Sequence, residues 1–129
     1  MGFMARRHEP RAALAEVAVQ APIDRVHLAR YTMGNLALEI EILDLFAGQA
    51  PSTFAQLKEA QTDKAWRDAA HTLKGSARAV GAWRVAERAE QAEALTSAAD
   101  ELVRHTVLQA LHDVLAQSYA YIGGLDPRG

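Results

Sequence analysis

Leu36, Ile40, Leu43, Phe46, Ala50, Phe54 and Leu57 recur at intervals of three and four along one stretch of the chain. Only an α-helix gathers positions spaced in this way on one face. The first part of the stretch, Leu36 to Ile42, also alternates apolar and polar residues as a half-buried strand would. The pattern continues over roughly twenty residues, however, against about five or six for an ordinary strand, and length decides for helix. Pro51 lies inside it and, with Gly48 nearby, is expected to kink or interrupt the helix near Ala47 to Ala50. Leu38, Ile42 and Leu45 form a second apolar line beside the first, expected to widen the core contact rather than to dock a partner.

The same periodicity returns downstream. Trp66, Ala69, Ala70, Leu73, Ala77 and Val80 make the apolar stripe of a helix from Asp63 to about Val80, capped by Thr62 or Asp63 and ended by Gly81. Val85, Ala89, Ala92 and Leu95 mark a fourth helix, from about Ala82 to Leu95. Leu108, Leu111, Val114, Leu115, Tyr119 and Ile122 mark a fifth, preceded by Ser97 and Asp100 at capping-box spacing and ended by Gly123 and Gly124. Upstream, Asp24 can cap a short helix from Arg25 to about Thr32, ending before Gly34. The expected fold is all-α: an antiparallel up-down four-helix bundle with an additional short N-terminal helix as a lid over one end. Residues 1–22 read as a flexible or weakly helical lead-in, 23–124 as the bundle and 125–129 as a tail.

Composition narrows the possible chemistry. The 129 residues suffice for one core without disulfides or a structural metal, and half of them are apolar. No cysteine is present, which removes thiolate–metal sites, disulfides and a thiol nucleophile, and fits a reducing compartment. Fourteen basic residues against 16 acidic ones give no global attraction to nucleic acid or to a membrane surface. No run approaches about eighteen consecutive apolar residues, and the N-terminus lacks secretory and myristoylation patterns, so a cytoplasmic location is expected.

One segment resists a purely structural reading: AAHTLKGSARAVGAW, Ala69 to Trp83. Gly75 sits in a helix interior, where glycine costs about 1 kcal/mol relative to alanine. On a wheel of about 100° per residue, His71 falls opposite Leu73 and must face solvent. Lys64, Arg67, Gly75 and Arg78 fall within about 40° of His71, and Lys74 and Asp68 about 60° to either side. Like charges at these spacings do not stabilise a helix, so the strip points to a visiting anion. Cations around an imidazole disfavour its charged form and leave one ring nitrogen free to act as a nucleophile. Gly75, one turn on, would let another macromolecule approach closely.

HTLKGSARAVG, with His71, Lys74, Gly75 and Gly81 in these positions, resembles the signature of the histidine-containing phosphotransfer domain of bacterial phosphorelays. The resemblance extends from about Ile23 to Ile122. It implies a phosphoryl carrier rather than an independent kinase, taking the group from an aspartyl phosphate on one receiver domain and passing it to an aspartate on another. It further implies that His71 is phosphorylated at Nε2, that Lys74 neutralises the phosphoryl group, that Gly75 makes room for the receiver and that Gly81 is structural. Lys64, Arg67 and Arg78 come from the wheel alone. The following AERAEQAE carries Glu93, to which no supporting contact can be assigned from sequence.

The implied partners are receiver domains of a hybrid histidine kinase and of a downstream regulator, with no nucleic acid and no membrane, and the chain is expected to be a monomer. No P-loop or glycine-rich loop after a strand is present. No cofactor is expected in this chain, and magnesium is expected on the partner receiver. The competing reading is a helical interaction module without chemistry. Glu101, His105 and His112 could be offered as metal ligands, but two histidines seven residues apart stand two turns from each other. His8, His27, His105 and His112 otherwise read as solvated side chains.

Overall fold

The computed structural model describes residues 21–96 and 99–126, and among these the only regular structure is helical. Five helices follow in order: α1 Arg25–Thr32, α2 Leu36–Glu59, α3 Asp63–Val80, α4 Trp83–Glu93 and α5 Glu101–Gly123. Short connections make α2 to α5 antiparallel neighbours in sequence order, and α5 closes the ring against α2. The shorter α1 packs against α2 and α3. Among the described residues, no helix is long and apolar enough to cross a membrane.

Local chemistry sets the helix ends. Asp24, Asn35, Thr62 and Asp100 each accept a backbone N–H of the first turn, at Asp24 from His27 and at Thr62 from Ala65. The cap of α5 is thus Asp100; Ser97, expected to share that task, lies outside the described residues, as do residues 1–20 of the lead-in.

Leu43, Phe46, Ala50, Phe54 and Leu57 of α2, the whole expected stripe of α3, Val85, Ala89 and Ala92 of α4, and Leu111, Leu115 and Ile122 of α5 form one buried cluster. Alanines on the inner faces of α3 and α4 let these two helices lie close together. Leu125, placed by sequence in the tail, packs against the same core.

Three expectations about α2 need correction. The helix is not interrupted at Pro51 but runs unbroken from Leu36 to Glu59. Pro51 is exposed, so the missing N–H falls where water can satisfy the freed carbonyl. Secondly, Leu36 and Ile40 are only partly buried, and the position between them that faces inward is Glu39. Its carboxylate is satisfied by Arg25, through Nε at 3.1 Å and a terminal nitrogen at 3.0 Å, and by the buried Thr32 hydroxyl at 3.0 Å. A charge this deep is tolerated only when paired and hydrogen-bonded, so Glu39 ties α1 to α2 in one register. Lastly, Leu38 and Leu45 do not widen the core: they are 39% and 59% exposed, and only Ile42 of that line packs inward.

The α3–α4 connection is the tightest point of the fold. Gly81 ends α3 with φ +78°, and its N–H returns to the last turn. A Cβ there would stand 2.9 Å from the Asp24 carbonyl oxygen, because Asp24 N–H donates to the Gly81 carbonyl at 2.9 Å. The Asp24 carboxylate also accepts the Trp83 indole N–H at 2.8 Å. Burial pushes this carboxyl up, but the Trp83 and His27 hydrogen bonds outweigh it and hold it below the usual aspartate range. His27 packs edge-on against Trp83 and Tyr31, so it is a packed residue rather than the solvated one expected.

Gly81→Ala should therefore destabilise the protein by about 1–3 kcal/mol, from the left-handed backbone and the clash together. Urea unfolding followed by circular dichroism measures the loss, and an unchanged midpoint would contradict this account of the turn.

Candidate functional site

His71 sits on the outer face of α3 with its side chain 70% exposed. Leu73, two residues on, is fully buried, which fixes the rotation of the helix. The imidazole is nonetheless not free. Its Nδ1 lies 2.7 Å from Oε2 of Glu93, at the end of α4, and the other oxygen of the same carboxylate accepts from Lys74 Nζ at 2.5 Å. Glu93 thus bridges the histidine and the lysine one turn beyond it. Hydrogen bonding from Lys74 is the largest influence on Glu93; with the His71 contact it outweighs desolvation and holds the carboxyl below its ordinary value.

An ionised carboxylate can only accept, so the hydrogen between Glu93 and His71 belongs to Nδ1. In the neutral ring, Nε2 then carries the lone pair. The contact selects the tautomer with the nucleophilic nitrogen away from Glu93, on a ring that solvent reaches.

The basic strip expected from the wheel is internally compensated. Lys64 pairs with Asp68 at 2.5 Å, Arg78 approaches Glu90 at 3.7 Å, and Lys74 is committed to Glu93 with only 14% of its side chain exposed. Arg67 is exposed and forms no hydrogen bond or ion pair among the described residues. The ring is therefore held by an anion rather than simply surrounded by cations. Of these acids a wheel of one helix shows only Asp68, because Glu93 and Glu90 arrive from α4.

A signal for Glu93 was nevertheless present. His71 lies ten residues before Gly81 and Glu93 eleven after Ala82. Helices that reverse sharply at those two residues bring His71 and Glu93 level, at the same 1.5 Å rise per residue.

Gly75 is exposed, and a Cβ built on it would meet nothing within 4 Å. Among the described residues no contact requires glycine there. Glu101, His105 and His112 are not brought together; among the described residues, no group of three or more His, Cys, Asp or Glu side chains could hold a metal ion.

Fold and site together define a class: a helical bundle that presents one oriented, solvent-reachable imidazole and keeps a cation beside it. The family profile described as Hpt domain matches residues 41–120, which cover α3, α4 and most of α2 and α5. The chain belongs to the histidine phosphotransfer (Hpt) domain family. No curated protein and no solved structure gave a significant match. The protein is a phosphoryl carrier of phosphorelays, not a kinase, and its partners are receiver domains.

Two measurements bear on this geometry. Because the Glu93 pKa is depressed in the folded protein, its pairing is complete above the ordinary glutamate value of 4.5 and is lost as pH falls through the lower folded value. The ¹³C shift of the Glu93 carboxyl should titrate below 4.5, and Lys74→Ala should move the midpoint up more than His71→Ala does. Gly75→Ala should raise stability by about 0.5–1 kcal/mol in urea unfolding, since the methyl group meets open space.

Proposed function

We propose that His71 is the residue that accepts and donates the phosphoryl group, through Nε2. The observation that carries this reading is the Glu93 contact at Nδ1, which in the neutral tautomer puts the lone pair on Nε2 of an exposed ring. In the forward step the Nε2 lone pair attacks phosphorus of the receiver's aspartyl phosphate. The N–P bond forms, the P–O bond to the aspartate breaks, and the carboxylate leaves with its electron pair. Nε2 has no hydrogen to lose, so no base is needed. The ring becomes a phosphoimidazolium that keeps its Nδ1–H, and the Glu93 carboxylate offsets the new positive charge. The reverse of the same step delivers the group to a second receiver.

Lys74 supplies charge to the phosphoryl oxygens. An ammonium has three donors, and Glu93 occupies one. Gly75 keeps the turn next to His71 flat for the partner's backbone. Lys64, Arg67 and Arg78 serve as a rim for the partner, and Arg67, without an acidic partner among the described residues, is the one to contribute attraction. Gly81 acts one step removed, by setting α4 where Glu93 meets the ring.

The donor and acceptor in this reading are receivers of a hybrid kinase and of a downstream regulator, in the cytoplasm, with the chain acting as a monomer. Magnesium belongs to the receiver, whose acidic pocket cannot itself neutralise the transferred group.

Incubation with a radiolabelled phosphoreceiver should place acid-labile, alkali-stable phosphate on the wild-type chain and none on His71→Gln. Label that persists on the variant would overturn the assignment. Gly75→Ala, although more stable, should transfer at least about tenfold more slowly, the rate equivalent of about 1.4 kcal/mol in the barrier. Transfer at the wild-type rate would remove the access role.

A further inference from the structure

The face of the bundle opposite the α3–α4 pair is a groove between α2 and α5, and its chemistry differs from that around His71. Three depressions, of about 210, 220 and 250 Å³, lie in a row along it, and Lys58 of α2 borders all of them. The first is walled by Trp66 and Arg104, the second by Phe54 and His105, the third by Leu115 and Tyr119, with His112 shared by the last two. Along α5 their centres advance by about four and then about seven residues, roughly 6 and 10 Å at 1.5 Å per residue.

Two features mark this groove as unsatisfied. Lys58, Arg104, His105 and His112 form no ion pair among the described residues, whereas three of the four cations beside His71, namely Lys64, Lys74 and Arg78, are paired. The Lys58 ammonium lies over the Phe54 ring at 5.3 Å and the Arg104 guanidinium over Trp66 at 4.6 Å, so both charges rest on the aromatic floor of the groove, held there by cation–π attraction rather than by an acid. In addition, Arg104 Nε and the Tyr119 hydroxyl are buried without a hydrogen-bond partner, and burial pushes the Tyr119 phenol up to about 12. Native structures leave few such groups unpaired.

We infer that the α2–α5 groove docks an acidic amphipathic helix of a partner protein, on the side of the bundle away from His71. Depressions of side-chain size, spaced by four and seven residues, match the apolar face of a helix laid alongside α5. Glu or Asp flanking that face would pair with Lys58 and Arg104 and hydrogen-bond to His105 and His112; Glu101 is the single acid among the residues that line the three depressions, so charge complementarity selects an acidic partner over a basic one. Such a helix would leave the His71 face open, so a receiver and the second partner could be bound together.

The test uses the full chain and a fluorescein-labelled helical peptide of about 18 residues, with leucines spaced by four and seven and glutamates at the flanking positions. Anisotropy at about 50 mM salt, where surface charge is weakly screened, should show saturable binding. Lys58→Glu with His112→Glu should weaken it at least about tenfold, while transfer of phosphate from a receiver to His71 keeps its wild-type rate. Lys58 and His112 are exposed, so the reversal spares the fold, and circular dichroism checks that it does. A peptide with lysines in place of the glutamates should not bind. The inference is overturned if neither peptide binds, if both bind alike, if the charge reversal changes nothing, or if sedimentation shows that second copies of the chain fill the groove instead. None of these results depends on phosphate reaching His71, so this reading and the transfer assignment fail separately.

Discussion

The left-handed residue at Gly81 is the constraint on which the working face depends. It reverses the chain within two residues, so α3 and α4 lie side by side along the length of α4 and hold each other in register through small inner residues. That register sets the end of α4 against the middle of α3, where Glu93 reaches His71 and Lys74 together. The same glycine accepts the backbone of Asp24 at its open side, and so fixes where α1 begins. One backbone conformation thus coordinates the histidine tautomer, the position of the lysine and the docking of the first helix.

The electrostatics that result suit a carrier better than a trap. A ring of unpaired cations would bind a phosphoryl dianion tightly and raise the barrier to giving it up. Here, three of the four basic residues near the histidine are already engaged by acids on α3 and α4. In the proposed transfer the attraction available to an incoming phosphoryl group would be moderated, and the carboxylate at Nδ1 would stabilise the positive ring formed when the group is attached. Uptake and release then draw on the same contact.

Much of this architecture was readable in the chain. The stripes of α3, α4 and α5 gave helices and core because each helix buries one face, and a periodic pattern records that directly. The outward direction of His71 followed from Leu73. What escaped the reading was whatever needed two helices at once. Glu93 and Glu90 come from α4 to face α3, and a wheel drawn on one helix counts only its own charges. Glu39 escaped differently: it stands on the apolar line of α2, four residues before Leu43, but an acid in such a line is legible only when its partners Arg25 and Thr32 are known to fold over it. Leu38 and Leu45 were misplaced because apolar character alone does not say which side of a helix has a neighbour. Pro51 broke no helix because its ring points outward, and the core residues around it hold both flanks in place.

That last feature carries a mechanical consequence. Pro51 offers no amide hydrogen to the carbonyl of Ala47, and Gly48 in the same turn adds no side-chain bracing, being exposed with empty space where a Cβ would stand. The middle turn of the longest helix is therefore held less by its own hydrogen-bond ladder than by the burial of Ala50 and Phe54 against the core. Because Phe46, Ala50 and Phe54 share one buried cluster with the inner face of α3, any loosening of that turn would be felt by the α3–α4 pair through the common core.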